Sequence, residues 1–113
     1  MPYLTVQTNV ADSQITNDFL KQLSAKVAEV VGKPEQYVVI HVSGGQKLFF
    51  AGTNDPAAIM ELASIGLSSG QTANISNAIM SFFEEKLSIK TSRIYIKFTN
   101  VAGNMMGWNK GTF

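Results

Sequence analysis

The sequence predicts an α/β fold of the α+β type, in which two βαβ units form one mixed four-stranded sheet with two helices on one face. The order strand, helix, strand occurs twice in the 113 residues, at a spacing of roughly 55 to 60 positions. The halves, about 2–50 and 57–113, form an internal pseudo-repeat, and this length is typical of one domain spanning 1–113. Each βαβ unit implies parallel strands joined by a right-handed crossover.

The first half begins with a strand at residues 2–8, where Leu4 and Val6 alternate with more polar neighbours. A helix is predicted from about residue 13 to residue 31, because apolar side chains recur there at every third or fourth position. This is the spacing of a single stripe on a helix, so one helical face is expected to pack on the sheet.

Both ends of this helix carry typical signals. Ser13 or Thr16 is expected to cap its start, since a hydroxyl side chain accepts a hydrogen bond from a free backbone N–H there. Gly32 favours the left-handed conformation after a last helical turn, and Pro34 cannot continue a helix. The segment YVVIHVS at 37–43 follows as the second strand.

The second half repeats the pattern after a turn-rich connection at 44–56, which holds a short KLFFAG strand and a TNDP turn, as in a hairpin or a bent edge. The segment AAIMELASIG at 57–66 has helix-favouring residues, but it is short, lies between turn signals and mirrors the first strand. We therefore predict a strand. An amphipathic helix from about 70 to 87 and a strand in SRIYIKFTNV at 92–101 complete the repeat.

The sheet face away from the helices is predicted to be semi-polar. In the last strand Arg93, Tyr95 and Lys97 share that face, opposite a set of apolar side chains. A sheet rich in parallel pairs is normally covered on both faces. We therefore expect other copies of the chain to supply the second layer, which makes the protein a homo-oligomer.

Composition excludes several classes of function. The formal net charge of +1 provides no patch for nucleic acid, and the absence of cysteine excludes disulfides, thiolate nucleophiles and cysteine-based zinc sites. No apolar run approaches the roughly 18 residues of a membrane span, so we expect a soluble, cytoplasmic protein without a membrane or nucleic-acid partner. His41, the only histidine, predicts packing or an intersubunit hydrogen bond rather than a metal site.

Several dispersed motifs in the same order carry a resemblance to a known family. They are MP at the start, TNV at 8–10, GKPEQYVVIHV at 32–42, SIG at 64–66, RIYIKF at 93–98 and GWNKGTF at 107–113. With these motifs the sequence resembles the macrophage migration inhibitory factor and D-dopachrome tautomerase family of the tautomerase superfamily, over nearly the whole chain. The resemblance implies a homotrimer of the tautomerase fold, active sites at the subunit interfaces and no cofactor.

The resemblance also implies that Pro2 is the catalytic base once Met1 is removed, as small penultimate residues generally permit. A free α-amino group titrates near 7.7 to 8.0, and burial or a nearby cation lowers its pKa. Lys33, at the position of the family's pocket lysine, is that cation and anchors a substrate carboxylate. A base near neutrality then moves a proton alpha to a ketone, which gives keto–enol tautomerisation of phenylpyruvate-like or dopachrome-like acids.

The remaining site residues also follow from the resemblance. Ile65 contacts the substrate through its backbone N–H, with Ser64 beside it, and Tyr95 enters the pocket from the neighbouring subunit. Lys97 lies at the pocket rim. The apolar and aromatic wall consists of Tyr3, Tyr37, Met106, Trp108 and Phe113.

Three departures from the family's pattern narrow the expected function. Lys97 stands where vertebrate members commonly carry asparagine, so a second cation at the rim favours a more acidic substrate. Ala57 and Met60 replace a Cys-x-x-Cys pair, which excludes thiol oxidoreductase activity. Asp12 and Gly45 do not reproduce an Arg and Asp pair proposed to contact a chemokine receptor, which weakens the case for cytokine mimicry by that route.

Two alternatives to a tautomerase stay open from the sequence. The first is a signalling ligand that leaves the cell by a route without a signal peptide and acts on a cell-surface receptor, its pocket activity being incidental. The second is a purely structural trimer that keeps Met1, in which the nitrogen of Pro2 is an amide and not a base.

Overall fold

The strand, helix, strand order occurs twice in the computed structural model, which describes residues 1–113. The elements of the first half are β1 (Pro2–Thr8), α1 (Asn17–Val31) and β2 (Val39–Ser43). Those of the second half are β3 (Ala58–Ile65), α2 (Thr72–Leu87) and β4 (Ile94–Val101). The chain ends in a small separate ribbon of β5 (Gly107–Trp108) and β6 (Gly111–Thr112).

The four long strands form one sheet in the order β2-β1-β3-β4. Strands β1 and β2 are parallel, as are β3 and β4, whereas the two halves meet through an antiparallel pairing of β1 with β3. In that central pair Leu4 lies opposite Leu62 and Val6 opposite Met60, so apolar positions of both halves meet in the middle. The predicted mixed sheet with two helices is confirmed.

Strand β3 confirms the prediction made for AAIMELASIG. Its helix-favouring residues occupy a central strand because Ala58, Met60 and Leu62 alternate toward the helices and are all buried there. Burial on one face of a paired strand outweighs the weak intrinsic preference of these residues for helix.

Helix α1 begins later than predicted, because the residues before it form a short 3₁₀ turn at Asp12–Gln14. Of the two candidate caps, Thr16 has the role: its hydroxyl accepts a hydrogen bond from the backbone N–H of Phe19 at 3.1 Å. Gly32 ends the helix in the left-handed conformation, with φ of 75°, as predicted.

The connection at 44–56 differs from the prediction. The short strand expected in KLFFAG is not formed, and one isolated bridge joins Phe50 to Thr53. Two backbone hydrogen bonds, from Gly45 to Val10 and from Gln46 to Thr8, hold the start of this loop, and side chains hold the rest. The amide of Asn9 donates to the carbonyls of Asn54 and Asp55, both at 3.0 Å.

The side chain of Arg93 also contacts the loop at 44–56. Its guanidinium lies 5.3 Å from the centre of the Phe50 ring. It donates hydrogen bonds to the backbone carbonyls of Phe50, Thr53, Asp55 and Pro56. Arg93 was expected to share the open sheet face with Tyr95 and Lys97. It belongs instead to a 3₁₀ turn ahead of β4, and its guanidinium binds the carbonyls of the loop.

The apolar core lies between the helices and one face of the sheet and contains a cluster of 18 buried residues. Phe83 of α2 is 0% exposed, and its ring meets that of Phe19 edge to face with centroids 5.5 Å apart. Phe82 packs against both rings. Neither helix has the length and hydropathy needed to cross a bilayer.

The opposite face of the sheet is not covered by any element of the same chain. It forms a concave depression of about 670 Å³ whose lining mixes apolar and charged side chains. One row across the four strands consists of His41, Thr5, Glu61 and Lys97. The semi-polar character predicted for this face is confirmed, and large apolar side chains such as Ile59 remain exposed on it.

Candidate functional site

Pro2 is the first residue of β1 and lies at one end of this central strand. Its side chain points to the helix side, as the parity with Leu4 and Val6 predicts, and less than 2% of it is exposed. Because proline lacks an N–H, the first position of a strand is one where it removes no ladder hydrogen bond. In the neighbouring strand Ser64 lies directly opposite.

A cavity of about 200 Å³ opens beside this end of β1, and Met1 forms part of its lining. All five residues predicted for the pocket wall lie around it: Tyr3, Tyr37, Met106, Trp108 and Phe113. The structure therefore brings together segments from the beginning, the first third and the end of the chain in one mostly apolar cavity.

Three aromatic rings shape the wall of this cavity. Tyr37 meets Trp108 and Phe113 nearly edge to face, with centroids 5.7 and 5.8 Å apart. Trp108 and Phe113 stack on each other at 5.5 Å with an angle of 15°. Their contact depends on the β5–β6 hairpin, whose two central residues, Asn109 and Lys110, both have positive φ as a tight hairpin turn requires.

The electrostatic environment favours a neutral amine at the N-terminus. Burial, and secondarily the positive charge of Lys33, lower the pKa of the Met1 amino group below its ordinary value of 8.0. Lys33 is half-buried and follows Gly32, and its backbone N–H donates to the carbonyl of Ala28 at 3.1 Å. The end of α1 thus brings a cation within electrostatic reach of the first residues of β1.

Ser64 and Ile65 lie at the end of β3, beside Pro2. Ile65 is half-buried and is the last strand residue before Gly66, whose φ of 74° turns the chain away. Ser64 is 0% exposed, and its hydroxyl makes no hydrogen bond. Both residues therefore lie at the same end of the sheet as Pro2, and neither contributes to the lining of the 200 Å³ cavity.

The structure does not bring Tyr95 to this cavity within one chain. Tyr95 pairs with Ile59, whereas the strand residue opposite Pro2 is Ser64, five positions further along β3. Five positions of a strand span about 16 Å. Tyr95 is 65% exposed and packs instead against Phe50, with ring centroids 4.9 Å apart.

Lys97 is also distant from Pro2. It lies on the open sheet face, in register with Glu61, and lines the large depression together with Tyr95. The predicted site residues therefore form two groups in a single chain. One surrounds the N-terminus, and the other lies on the open face of the sheet.

Four further residues of the cavity wall were not anticipated: Gln36, Val38, Val39 and Gly107. Gln36 belongs to a 3₁₀ turn at Glu35–Tyr37, and β2 therefore begins at Val39 rather than at Tyr37 as predicted. No residue pattern marks such a turn as a pocket wall. The structure holds no cluster of three or more side chains of the types that bind metals, and His41 is exposed on the open face.

Comparison with known families agrees with the arrangement of these elements. Residues 1–113 match the family model described as macrophage migration inhibitory factor (MIF). The chain belongs to the macrophage migration inhibitory factor family. The resemblance inferred from its motifs is thereby confirmed.

Curated members of the MIF family match the chain from end to end. A MIF homolog of Brugia malayi is 42% identical over 115 residues, covering 100% of this chain and 99% of the relative. MIF of Mus musculus is 38% identical over 114 residues, with the same coverage.

Solved structures of the MIF family share the fold. MIF of Trichinella spiralis superimposes with a TM-score of 0.94 at 36% identity, covering 98% of this chain and 99% of that one. A MIF homologue of Prochlorococcus marinus gives a TM-score of 0.92 at 36% identity, covering 98% of both chains. The tautomerase fold predicted from the sequence is confirmed.

Proposed function

We propose that this MIF-family protein is a cofactor-free keto–enol tautomerase, an intramolecular isomerase that acts on phenylpyruvate-like or dopachrome-like acids. The observation that carries the proposal is the position of Pro2, buried at the end of β1 beside an aromatic cavity, with Lys33 acting on the N-terminal amine. Such a cavity accommodates an aromatic ring, and a cation near the N-terminal amine can pair with a substrate carboxylate.

In the proposed reaction the lone pair of the Pro2 nitrogen removes a proton from the carbon next to the substrate ketone. The electron pair of the broken C–H bond moves to the carbonyl oxygen, where negative charge develops. The backbone N–H of Ile65 donates a hydrogen bond to the substrate, and the Lys33 ammonium holds its carboxylate. The proton is then delivered to the oxygen, and the reverse sequence converts the enol into the ketone.

Removal of Met1 is a condition of this mechanism. While Met1 is attached, the nitrogen of Pro2 is an amide without basic character, and the Met1 residue lines the cavity. Its removal exposes a secondary amine one residue closer to the buried end of β1. Burial and Lys33, which lower the pKa of the Met1 amine, act on that amine as well and leave it more neutral at physiological pH than a free terminus.

A homotrimer completes the proposed site, because Tyr95 and Lys97 are too far from Pro2 in the same chain. Both side chains are exposed on the open sheet face. In the proposed trimer this face contacts the next subunit, so that Tyr95 and Lys97 of one subunit reach the cavity of its neighbour. The large apolar side chains exposed on that face, Ile59 and Tyr95, support the assembly, since exposed apolar groups of this size are typical of an interaction surface.

The assembly is tested by Ile59→Glu, which places a charge among the apolar side chains of the open face. The unmodified protein is expected to scatter light as a particle of about three times the 12.3 kDa of one chain, and the variant as a smaller one, because a buried unpaired carboxylate opposes association. Asn77→Glu, on the exposed side of α2, is the matched control and should stay associated. A monomeric unmodified protein would contradict the trimer.

The activity is tested with purified protein whose intact mass shows that Met1 is absent. Conversion of enol-phenylpyruvate into the keto form, followed in the ultraviolet, is expected to be faster than the buffer-catalysed rate by several orders of magnitude, as enzymes generally achieve. A rate equal to that of buffer with Met1-free, trimeric protein would refute the proposed function.

A second candidate function is that of a cytokine-like ligand which acts outside the cell on a surface receptor, after export from the cytoplasm by a route that needs no signal peptide. Relatives across the full length of the chain carry the name macrophage migration inhibitory factor, the mouse protein among them. Binding of wild-type and Pro2→Gly protein to receptor-bearing cells separates the two functions. Equal binding by a variant without activity would favour the ligand, and no binding by either protein would exclude it.

A further inference from the structure

The hydroxyl of Ser64 is the single buried side-chain polar atom in the structure that makes no hydrogen bond. The residue is 0% exposed, so bulk water does not satisfy it. Native proteins rarely leave such a group unpaired, and each instance calls for a specific explanation. By contrast Thr8, the other fully buried hydroxyl residue of the sheet, donates to the carbonyl of Ala57 at 2.7 Å and accepts from the backbone N–H of Val10.

The place of Ser64 in the sheet explains the unpaired hydroxyl. Ser64 lies directly opposite Pro2 in the antiparallel pairing of β1 with β3, and both side chains point to the helix side of the sheet. Directly opposed residues of such a pair have their Cβ atoms about 4.5 to 5.5 Å apart. The Ser64 hydroxyl is therefore next to the ring that contains the Pro2 nitrogen.

The chemistry of that nitrogen changes when Met1 is removed. In the unprocessed chain it is a tertiary amide, which carries no hydrogen to donate and no basic lone pair to accept. In the processed chain it is a secondary amine with one N–H and one lone pair, or two N–H groups when protonated. Only the processed nitrogen is a partner for a buried hydroxyl.

We propose that Ser64 is a positioning residue for the N-terminal amine: its hydroxyl oxygen accepts the N–H of Pro2 and thereby directs the Pro2 lone pair into the aromatic cavity. The inference rests on the proposed function in taking Pro2 as the base, and deepens it. A neutral secondary amine inverts readily, and an acceptor on one side selects the arrangement in which the lone pair faces the substrate. After proton transfer the same N–H stays on Ser64, and the newly gained proton is the one that faces the cavity.

The hydrogen bond has a consequence for the basicity of Pro2. Hydrogen bonds donated by a charged group are stronger than those donated by its neutral form, so an acceptor at Ser64 favours the protonated amine. It opposes the effects of burial and Lys33, which lower the pKa of an amine at this terminus. Loss of the acceptor is expected to lower the pKa of the Pro2 amine further and to leave a weaker base.

The test compares three variants of the Met1-free protein. Ser64→Ala removes the oxygen, Ser64→Cys keeps a similar shape with a poor acceptor, and Ser64→Thr keeps the hydroxyl. The pKa of the Pro2 amine is read directly from a ¹⁵N NMR titration of proline-labelled protein, without any substrate. Ser64→Ala and Ser64→Cys are expected to lower it by about one unit and to lower kcat roughly tenfold with little change in KM, whereas Ser64→Thr keeps both near the wild-type values.

Thr8→Val is the matched control, since it removes the other buried hydroxyl of the sheet, at the far end of β1 from the amine. It is expected to change stability and to leave the titration of Pro2 unaltered. An unchanged pKa in both Ser64→Ala and Ser64→Cys would overturn the inference. A wild-type protein without tautomerase activity, in which Ser64→Ala still lowers the amine pKa, would refute the proposed function and support the role of Ser64.

Discussion

A chain that keeps Met1 is expected to show no tautomerase activity above the buffer rate. Insertion of one glutamine between Met1 and Pro2 produces such a chain, because the larger penultimate residue prevents removal of the methionine. The nitrogen of Pro2 then stays an amide, and an amide cannot act as a base near neutral pH. Intact mass establishes that the methionine is present, and conversion of enol-phenylpyruvate measures the loss.

A chain that keeps Met1 could lose activity because Met1 obstructs the cavity. The variant Pro2→Gly removes this ambiguity, because it changes the amine without adding a residue. Glycine at this position is also processed and leaves a free primary amine, but the ring that directs the nitrogen is gone. General base catalysis contributes about 10²- to 10⁴-fold, so a fall in kcat/KM of about 100-fold or more is expected. Wild-type rates in either protein would show that the amine of Pro2 is not the base.

The pH dependence of the wild-type protein's activity provides an independent test of the proposed mechanism. Burial and Lys33 lower the pKa of the N-terminal amine, and only the unprotonated amine removes a proton. The kcat/KM is therefore expected to rise with pH and to reach its plateau at a lower pH than an exposed amine would require. Lys33→Met removes one of the two causes, so it should shift the rise to higher pH.

Phe83→Ala is expected to lower the free energy of unfolding by about 3 to 5 kcal/mol, the usual cost of removing a buried phenylalanine. Phe83 is fully buried, and its ring packs against Phe19 and Phe82 where the two helices meet over the sheet. Removing the Phe83 ring leaves a cavity between the two helices and the sheet, and the neighbouring side chains cannot fill it completely. Urea unfolding followed by circular dichroism measures the change.

The unfolding measurement on Phe83→Ala needs a fixed protein concentration and a control variant. All proteins are compared at the same chain concentration, because association adds to apparent stability. Ser81→Ala is the control on the same helix, since Ser81 is exposed and its substitution is expected to stay within about 0.5 kcal/mol. A loss below about 1 kcal/mol for Phe83→Ala would contradict the position assigned to Phe83 in the core.

Periodicity was sufficient to predict the long elements of the fold. The apolar stripe of α1 and the alternation in β1 each require only the identity of residues a few positions apart, which the chain itself displays. The strand at Ala58–Ile65 was harder, since its composition favours helix. It followed from its place in the repeat, where it corresponds to β1.

Local patterns failed where long-range contacts decide the conformation. The loop at 44–56 was predicted to contain a strand, but Asn9 and Arg93 hold it by hydrogen bonds to its carbonyls. Both residues lie more than 35 positions from the carbonyls they bind. A pattern of neighbouring residues carries no information about such contacts, so the conformation of this loop was not predictable.

The types of residue in the candidate site, and the condition that Met1 must be removed, were accessible from the sequence, because short motifs such as MP, GKP and SIG mark them. The register of β1 with β3 was not accessible, since strand pairing depends on the packing of the whole core. That register places Ser64 opposite Pro2 and separates Tyr95 from Pro2 by five strand positions. The tertiary structure therefore determines which hydroxyl lies next to the proposed base and why Tyr95 is far from that base within one chain.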